Sequence, residues 1–232
     1  MGPTYDVLGY KRMILDLHFG TFSADAIIDI SVDEIAESMA SVGIDSLLHF
    51  PRDHWGYRYI DGRTCPPHPN TPTDLFGKVH AALTSKGIRT IGYLSVHWDE
   101  VMARQFPDWT MRQPDGSPVR RMEGKGDMAG VEARWTYLCL KSPYYDYLLA
   151  HVKELVYTYD FPALFVDIIN EQIGRDVLEG CHCRYCRKMW KARYRYPMPT
   201  LMTDRERILW RDLYSEVQNE FYADVKTIIL KS

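Results

Sequence analysis

The sequence predicts an α/β fold of the (β/α) TIM-barrel type, with only about four βα units present. Three observations lead to this. Apolar strand-like runs alternate with helical patterns in the order β-α-β-α-β-α-β-α, which argues for parallel strands joined by right-handed crossovers. The connections after the strands, 51–73, 97–141 and 169–203, are long, and those after the helices are short; a β/α barrel builds its active site from the former. No G-x-G-x-x-G or P-loop pattern occurs, which speaks against a doubly wound nucleotide-binding sheet.

Each element has a local reason. Met13–Phe19 reads as a first strand. Ser31 and Glu34 have capping-box spacing, and the helix they open carries Ile35 and Met39 on one face and stops near Gly43. Ile44–Phe50 is a second strand. Asp74–Lys86 is a second helix, with Leu75, Val79 and Leu83 in one stripe and Gly87 after it. Ile88–Val96 is the third strand. Ser142-Pro143 opens the third helix, where proline's missing N–H costs nothing, and Tyr144, Leu148, Val152 and Leu155 line it. Ala163–Ile168 is the fourth strand. Asp204–Leu230 is a long last helix striped by Leu209, Leu213, Val217, Phe221, Val225 and Ile228.

Composition narrows the function classes. The 232 residues carry 28 Lys+Arg against 31 Asp+Glu, a net charge of −3, with 46% hydrophobic residues. Such a chain buries enough apolar surface to offset its conformational entropy. The charge balance disfavours a nucleic-acid partner. The basic stretch Arg184–Arg195, with its aromatic residues, reads as a solvated helix face. No apolar run approaches the roughly 20 residues that span a bilayer, and Met1–Lys11 has no signal-peptide core. The expectation is a cytoplasmic protein without a membrane partner.

Two sequence features carry chemistry. Cys181-His182-Cys183-Arg184-Tyr185-Cys186 places three thiols in a C-x-C-x-x-C knot, a pattern suited to one soft divalent ion such as structural zinc, which wants four ligands. Cys139, Cys65 and His182 are candidates for the fourth, with Cys139 preferred for its place before the third helix. The second feature is Asp167, an acid inside the apolar fourth strand, followed by Glu171. A carboxylate there is costly unless it is paired or functional. His18, His49 and His97-Trp98 stand at the ends of the first three strands, and His54, Trp55 and Tyr57 follow the second. Together they describe a polar pocket with an aromatic wall, the combination a sugar requires. His68 is placed near its mouth, whereas His80 and His151 read as packing or surface residues.

Several stretches resemble the hypothetical glycosyl hydrolase 6 family, β/α-barrel sugar hydrolases related to α-L-fucosidase-like and β-galactosidase-like enzymes. They are Arg52–Tyr57, His68-Pro69, His80 with Lys86–Ile88, Tyr93–Asp99, Pro107–Trp109, Ser142–Tyr144 and Phe165–Ile168, over about residues 13–190. A second resemblance, to family 42 β-galactosidases, rests on Cys139-Leu140-Lys141-Ser142-Pro143, Asn170-Glu171 and Cys181, Cys183 and Cys186. It implies that the four cysteines bind zinc and that Glu171 is the general acid/base. The sequence departs from that pattern by having two residues between Cys139 and Ser142. The fucosidase-like relatives imply instead that Asp167 is the nucleophile, and Asp167 is preferred over Glu171.

The resulting expectation is the N-terminal portion of a single β/α-barrel catalytic domain, residues 1–232. It would be a glycoside hydrolase acting on a carbohydrate, incomplete in this chain, with structural zinc and no organic cofactor. Ser232 falls where a fifth strand is due, so a missing C-terminal half or a homo-oligomer would complete the sheet. The alternative is a non-catalytic sugar-binding or structural module, a truncated pseudoenzyme. A metal-dependent hydrolase using His18, His97 and Asp167 is a further, less favoured alternative.

Overall fold

The computed structural model describes residues 5–17, 30–122, 134–169, 177 and 179–231. The chain divides into two compact units, Met1–Leu94 with Lys153–Asp167, and Ser95–Val152 with Ile168–Ser232.

After a short helix α1 (Tyr5–Leu8), the first unit holds a four-stranded sheet in the order β1 (Arg12–Ile14), β2 (Ser46–His49), β3 (Arg89–Ser95) and, last in the sheet, the strand Ala163–Asp167. The sheet is parallel, as the alternation requires. Arg12, Met13 and Ile14 lie opposite Ser46, Leu47 and Leu48, and those lie opposite Arg89, Thr90 and Ile91. β1 is shorter than the apolar run suggests, although Leu15 N–H still donates to Leu48 C=O at 2.8 Å.

Helices α2 (Val32–Ser41) and α3 (Leu75–Ser85) cover one face of this sheet. Ser31 accepts from Glu34 N–H at 3.3 Å, so the predicted cap forms. Gly43, at φ 69°, ends that turn in a conformation few side chains tolerate. Asp74 caps α3 through Gly77 N–H at 3.1 Å, and its stripe of Leu75, Val79 and Leu83 is buried. These side chains pack with Leu17, Leu47 and Phe76 into one core. Burial of each such side chain contributes about 1.5–3 kcal/mol.

The second unit is mostly helical. Its elements are α4 (Glu100–Gln105), a two-stranded antiparallel sheet of β4 (Arg120–Met122) and β5 (Arg134–Thr136), the start of α5 (Tyr144–Thr158), α6 (Arg184–Tyr194) and α7 (Asp204–Ile229). The strand Ala163–Asp167 is β6. The stripe of α5 is buried as predicted. A full capping box at Thr203 and Glu206 opens α7; of its predicted stripe Leu213, Val217, Phe221 and Val225 are buried and Leu209 and Ile228 half-buried, and Trp210, Tyr214 and Gln218 join the buried face. The short elements α4, β4 and β5 fall inside a stretch the sequence marks only as a long loop, because three- to six-residue segments show too little periodicity to read. None of the described helices is long and apolar enough to cross a membrane.

His49, at the end of β2, is fully buried against Phe76, with ring centroids 4.3 Å apart, and both ring nitrogens lack a partner among the described residues. Burial, helped by the charge of His80, lowers its pKa from 6.5 to about 3. The folded state therefore binds fewer protons than the unfolded state between those values. His49 contributes full stability above pH 6.5 and loses it as pH falls through this window, by about 2 kcal/mol at pH 5. Urea unfolding at pH 7.5 and 5 should show this loss, and His49→Leu should remove that part of it.

Candidate active site and thiol cluster

The first unit gathers a polar cluster at the C-terminal end of its sheet. Asp167 is the last residue of β6 and is partly buried. Tyr93, from β3, donates its hydroxyl to Asp167 Oδ2 at 2.6 Å. The same hydroxyl lies 3.4 Å from His54 Nε2, and the two rings meet edge-on at 5.7 Å. Phe50 and Phe165 flank the Tyr93 ring at 4.2 and 5.9 Å. Burial pushes the Tyr93 hydroxyl well above the usual phenol range, and the bond to Asp167 and its charge add to this. Tyr93 therefore stays a neutral donor at all working pH values. The next residue, Ile168, has φ 55°, a costly conformation for a β-branched side chain, so the chain turns sharply right after the acid.

The loop after β2 is held from within. Asp53 Oδ1 accepts from Tyr57 N–H at 2.9 Å and Oδ2 accepts from the Tyr59 hydroxyl at 2.8 Å. Gly56, at φ 95°, permits this tight turn. Tyr57 packs edge-on against His68 at 5.5 Å, and His68 stacks on Tyr59 at 5.4 Å. His54 is buried beside Tyr93, and Trp55 and Tyr57 are half-buried. Of the predicted site residues, the structure brings His54 and Asp167 together through Tyr93. It places His49 in the core, because the two-residue period of the strand turns that position toward α3. Tyr93 went unread in the sequence because nothing local separates it from a core aromatic residue; only its register beside β6 reveals the role. His18 and Glu171 lie outside the described residues.

In the second unit, His97 is buried with Nδ1 2.7 Å from Leu138 C=O. That contact makes Nδ1 the donor and leaves Nε2 as the acceptor. Burial depresses its pKa to about 4. Trp98 is buried and stacked on Trp135 at 5.4 Å.

The same unit assembles Cys139, Cys181, Cys183 and Cys186, all buried, with every sulfur within 4.8 Å of the others. Cys139 Sγ is 3.4 Å from Cys186 Sγ and 3.7 Å from Cys183 Sγ. A tetrahedral thiolate site with metal–sulfur bonds of about 2.3 Å has edges of about 3.8 Å, so the spacing fits a single ion. Cys183 is the N-cap of α6 and accepts from Cys186 N–H at 3.5 Å. Cys139 accepts from Lys141 N–H at 3.4 Å. Hydrogen bonds from the other three thiols hold Cys183 far below the usual thiol range, while burial pushes Cys139 and Cys186 up. His182 turns away, its Nε2 3.0 Å from Glu179 C=O, and Cys65 is not in the group. These four residues could hold a metal ion.

Residues 31–168 match the family model described as hypothetical glycosyl hydrolase 6. The chain belongs to this family. No match to it is found among curated proteins. Among solved structures it is similar to α-L-fucosidase isoenzyme 2 from Paenibacillus thiaminolyticus, with 24% identity and a TM-score of 0.74, over 95% of this chain and 30% of that one. It is similar to the PgaB (BpsB) glycoside hydrolase domain from Bordetella bronchiseptica at 13% identity and TM-score 0.61, over 94% and 60% of the two chains. For the β-galactosidase of Halorubrum lacusprofundi the values are 14% and 0.59, over 93% and 34%. The chain thus spans about a third of the fucosidase and of the β-galactosidase. Its fold is that of a partial β/α barrel.

Two outcomes follow from this geometry. Tyr93→Phe should cost about 1.5–3 kcal/mol in urea unfolding, the worth of a hydrogen bond to a charged group. A soft divalent ion should protect the four clustered thiols from alkylation, read by peptide mass spectrometry, and Cys183→Ser should abolish that protection.

Proposed function

We propose that the chain is the N-terminal portion of a β/α-barrel glycoside hydrolase domain, with Asp167 as a catalytic carboxylate acting on a carbohydrate. The observation that carries this reading is the Tyr93–Asp167 bond at the C-terminal end of a parallel sheet, the end where barrel enzymes place their chemistry. A carboxyl group at a strand end, bonded by a neutral hydroxyl, is placed to serve as a nucleophile or base opposite a proton donor. His54, Trp55 and Tyr57 would line the sugar subsite, joined by His18, and Glu171 is the second-choice acid. His97 and Trp98, the remaining sugar-site candidates of the sequence, are buried in the second unit. The family and the glycosidase folds named above support the same class.

The sheet itself supports a larger domain. Ile14 and Phe165, on the face away from the helices, are 55% and 46% exposed. A parallel sheet ordinarily buries both faces. Further βα units, in the same polypeptide or a partner copy, would cover these side chains. A sugar-binding module without turnover is the second reading.

The four thiols would hold structural zinc, a closed site that no substrate enters. Bound there, zinc would tie the segment at Cys139 to the start of α6. No organic cofactor is required.

Aryl α-L-fucosides and aryl β-D-galactosides are the assay substrates, used with the full-length protein. Asp167→Ala should lower kcat/KM by about 10²-fold or more. Loss confined to Glu171→Ala would move the role to that residue, and wild-type rates in both variants would reject the catalytic assignment. Sugar binding by calorimetry with no turnover in the parent protein would favour the module. Metal analysis should return one zinc per chain, lost in Cys183→Ser.

A further inference from the structure

Glycoside hydrolysis needs two carboxyl groups, and Asp167 is one. The register of the sheet identifies which other acid shares its face. Ile14, Leu48 and Ile91 form one row across β1, β2 and β3, and successive rows face opposite ways. The next row is Leu15, His49 and Gly92. It faces the helices: His49 stacks on Phe76, and a Cβ on Gly92 would meet the Phe161 ring at 3.0 Å and Leu164 at 3.3 Å. Continuing the alternation, the following positions, Asp16, Phe50 and Tyr93, turn the other way, with Phe50 and Tyr93 buried there. Phe50 touches Tyr93 within that row, and Tyr93 bonds Asp167.

The backbone around Asp16 is pinned. On one side Leu15 N–H donates to Leu48 C=O at 2.8 Å. On the other, Leu17 is buried in the core and its carbonyl accepts the Tyr59 hydroxyl at 2.8 Å. Asp16 itself is exposed. Its negative charge, like that of Asp167, raises the Tyr93 hydroxyl, after the larger effect of burial.

We infer that Asp16 is the second carboxyl group of this site, the proton donor to the glycosidic oxygen, with Asp167 as its counterpart beyond Tyr93. The inference rests on the glycosidase reading of Asp167. In the step, the Asp16 O–H gives its proton to the glycosidic oxygen as the bond from that oxygen to the anomeric carbon breaks. The leaving alcohol departs neutral. Water then supplies hydroxide to the anomeric carbon, and its remaining proton returns to the Asp16 carboxylate.

The test uses the full-length protein and two leaving groups on the same sugar, α-L-fucose or β-D-galactose. A 2,4-dinitrophenyl glycoside needs little proton donation; a phenyl glycoside needs it. Asp16→Asn should lower kcat/KM on the phenyl glycoside by about 10²-fold or more and on the dinitrophenyl glycoside by less than about tenfold. Asp16→Glu should recover part of the phenyl rate, and because Asp16 is exposed the unfolding midpoint should stay near wild type. Equal losses on both substrates, or none, in Asp16→Asn while Asp167→Asn is inactive would overturn this inference alone. Wild-type rates in Asp167→Asn would overturn the parent reading and this inference with it.

Discussion

Parallel pairing is the constraint from which the rest of the first unit follows. Strands that run the same way end at the same edge, and each return must cross by a separate segment. In this chain the returns are α2 and α3, packed on one face. Their short loops leave the opposite edge to long connections. Side chains at the ends of β3 and β6 then meet across one strand spacing, which is how Tyr93 reaches Asp167. The register also assigns every neighbouring side chain to a face, so one array produces both the core and the polar edge.

The polar groups at that edge are held by bonds that leave the backbone little freedom. Asp53 ties its own loop through Tyr57 and Tyr59, and Tyr59 also holds Leu17. Glu154 of α5 accepts the N–H groups of Arg63 and Thr64, the second at 3.1 Å. Tyr159 donates to Asp74 and accepts from Asp61 N–H. A 23-residue connection, 51–73, would otherwise be a costly length to order. The carboxylates and phenols that bond it offset part of that cost.

The second unit solves a different problem. Its long connections carry only short ladders of backbone bonds, and the four thiols join the segment at Cys139 to the segment at Cys181–Cys186. Sulfur spacings of 3.4 and 3.7 Å match the edge of a tetrahedral thiolate site. Around it the long helix α7 supplies Trp210, Tyr214 and Phe221 as an apolar wall, and Tyr214 accepts from Leu140 N–H at 3.2 Å.

The amino-acid sequence by itself determined the alternation of strands and helices, the buried stripes of α3 and α5, the cap at Ser31, the thiol knot and the acid in β6. Each is a local pattern with a local cause: periodicity, capping chemistry, or an expensive charge in an apolar run. The short elements α4, β4 and β5 left no period to detect. Tertiary structure alone decided which strand-end residues meet Asp167 and which turn into the core. His49 stands at a strand end yet points into the core, since its row faces α3, while Tyr93 looks like a core residue yet bonds the acid. It also decided the partner of the thiol knot, bringing Cys139 to Cys181, Cys183 and Cys186 across more than forty residues of chain. Those outcomes depend on register and on the return path of the chain, and both arise only when distant segments pair.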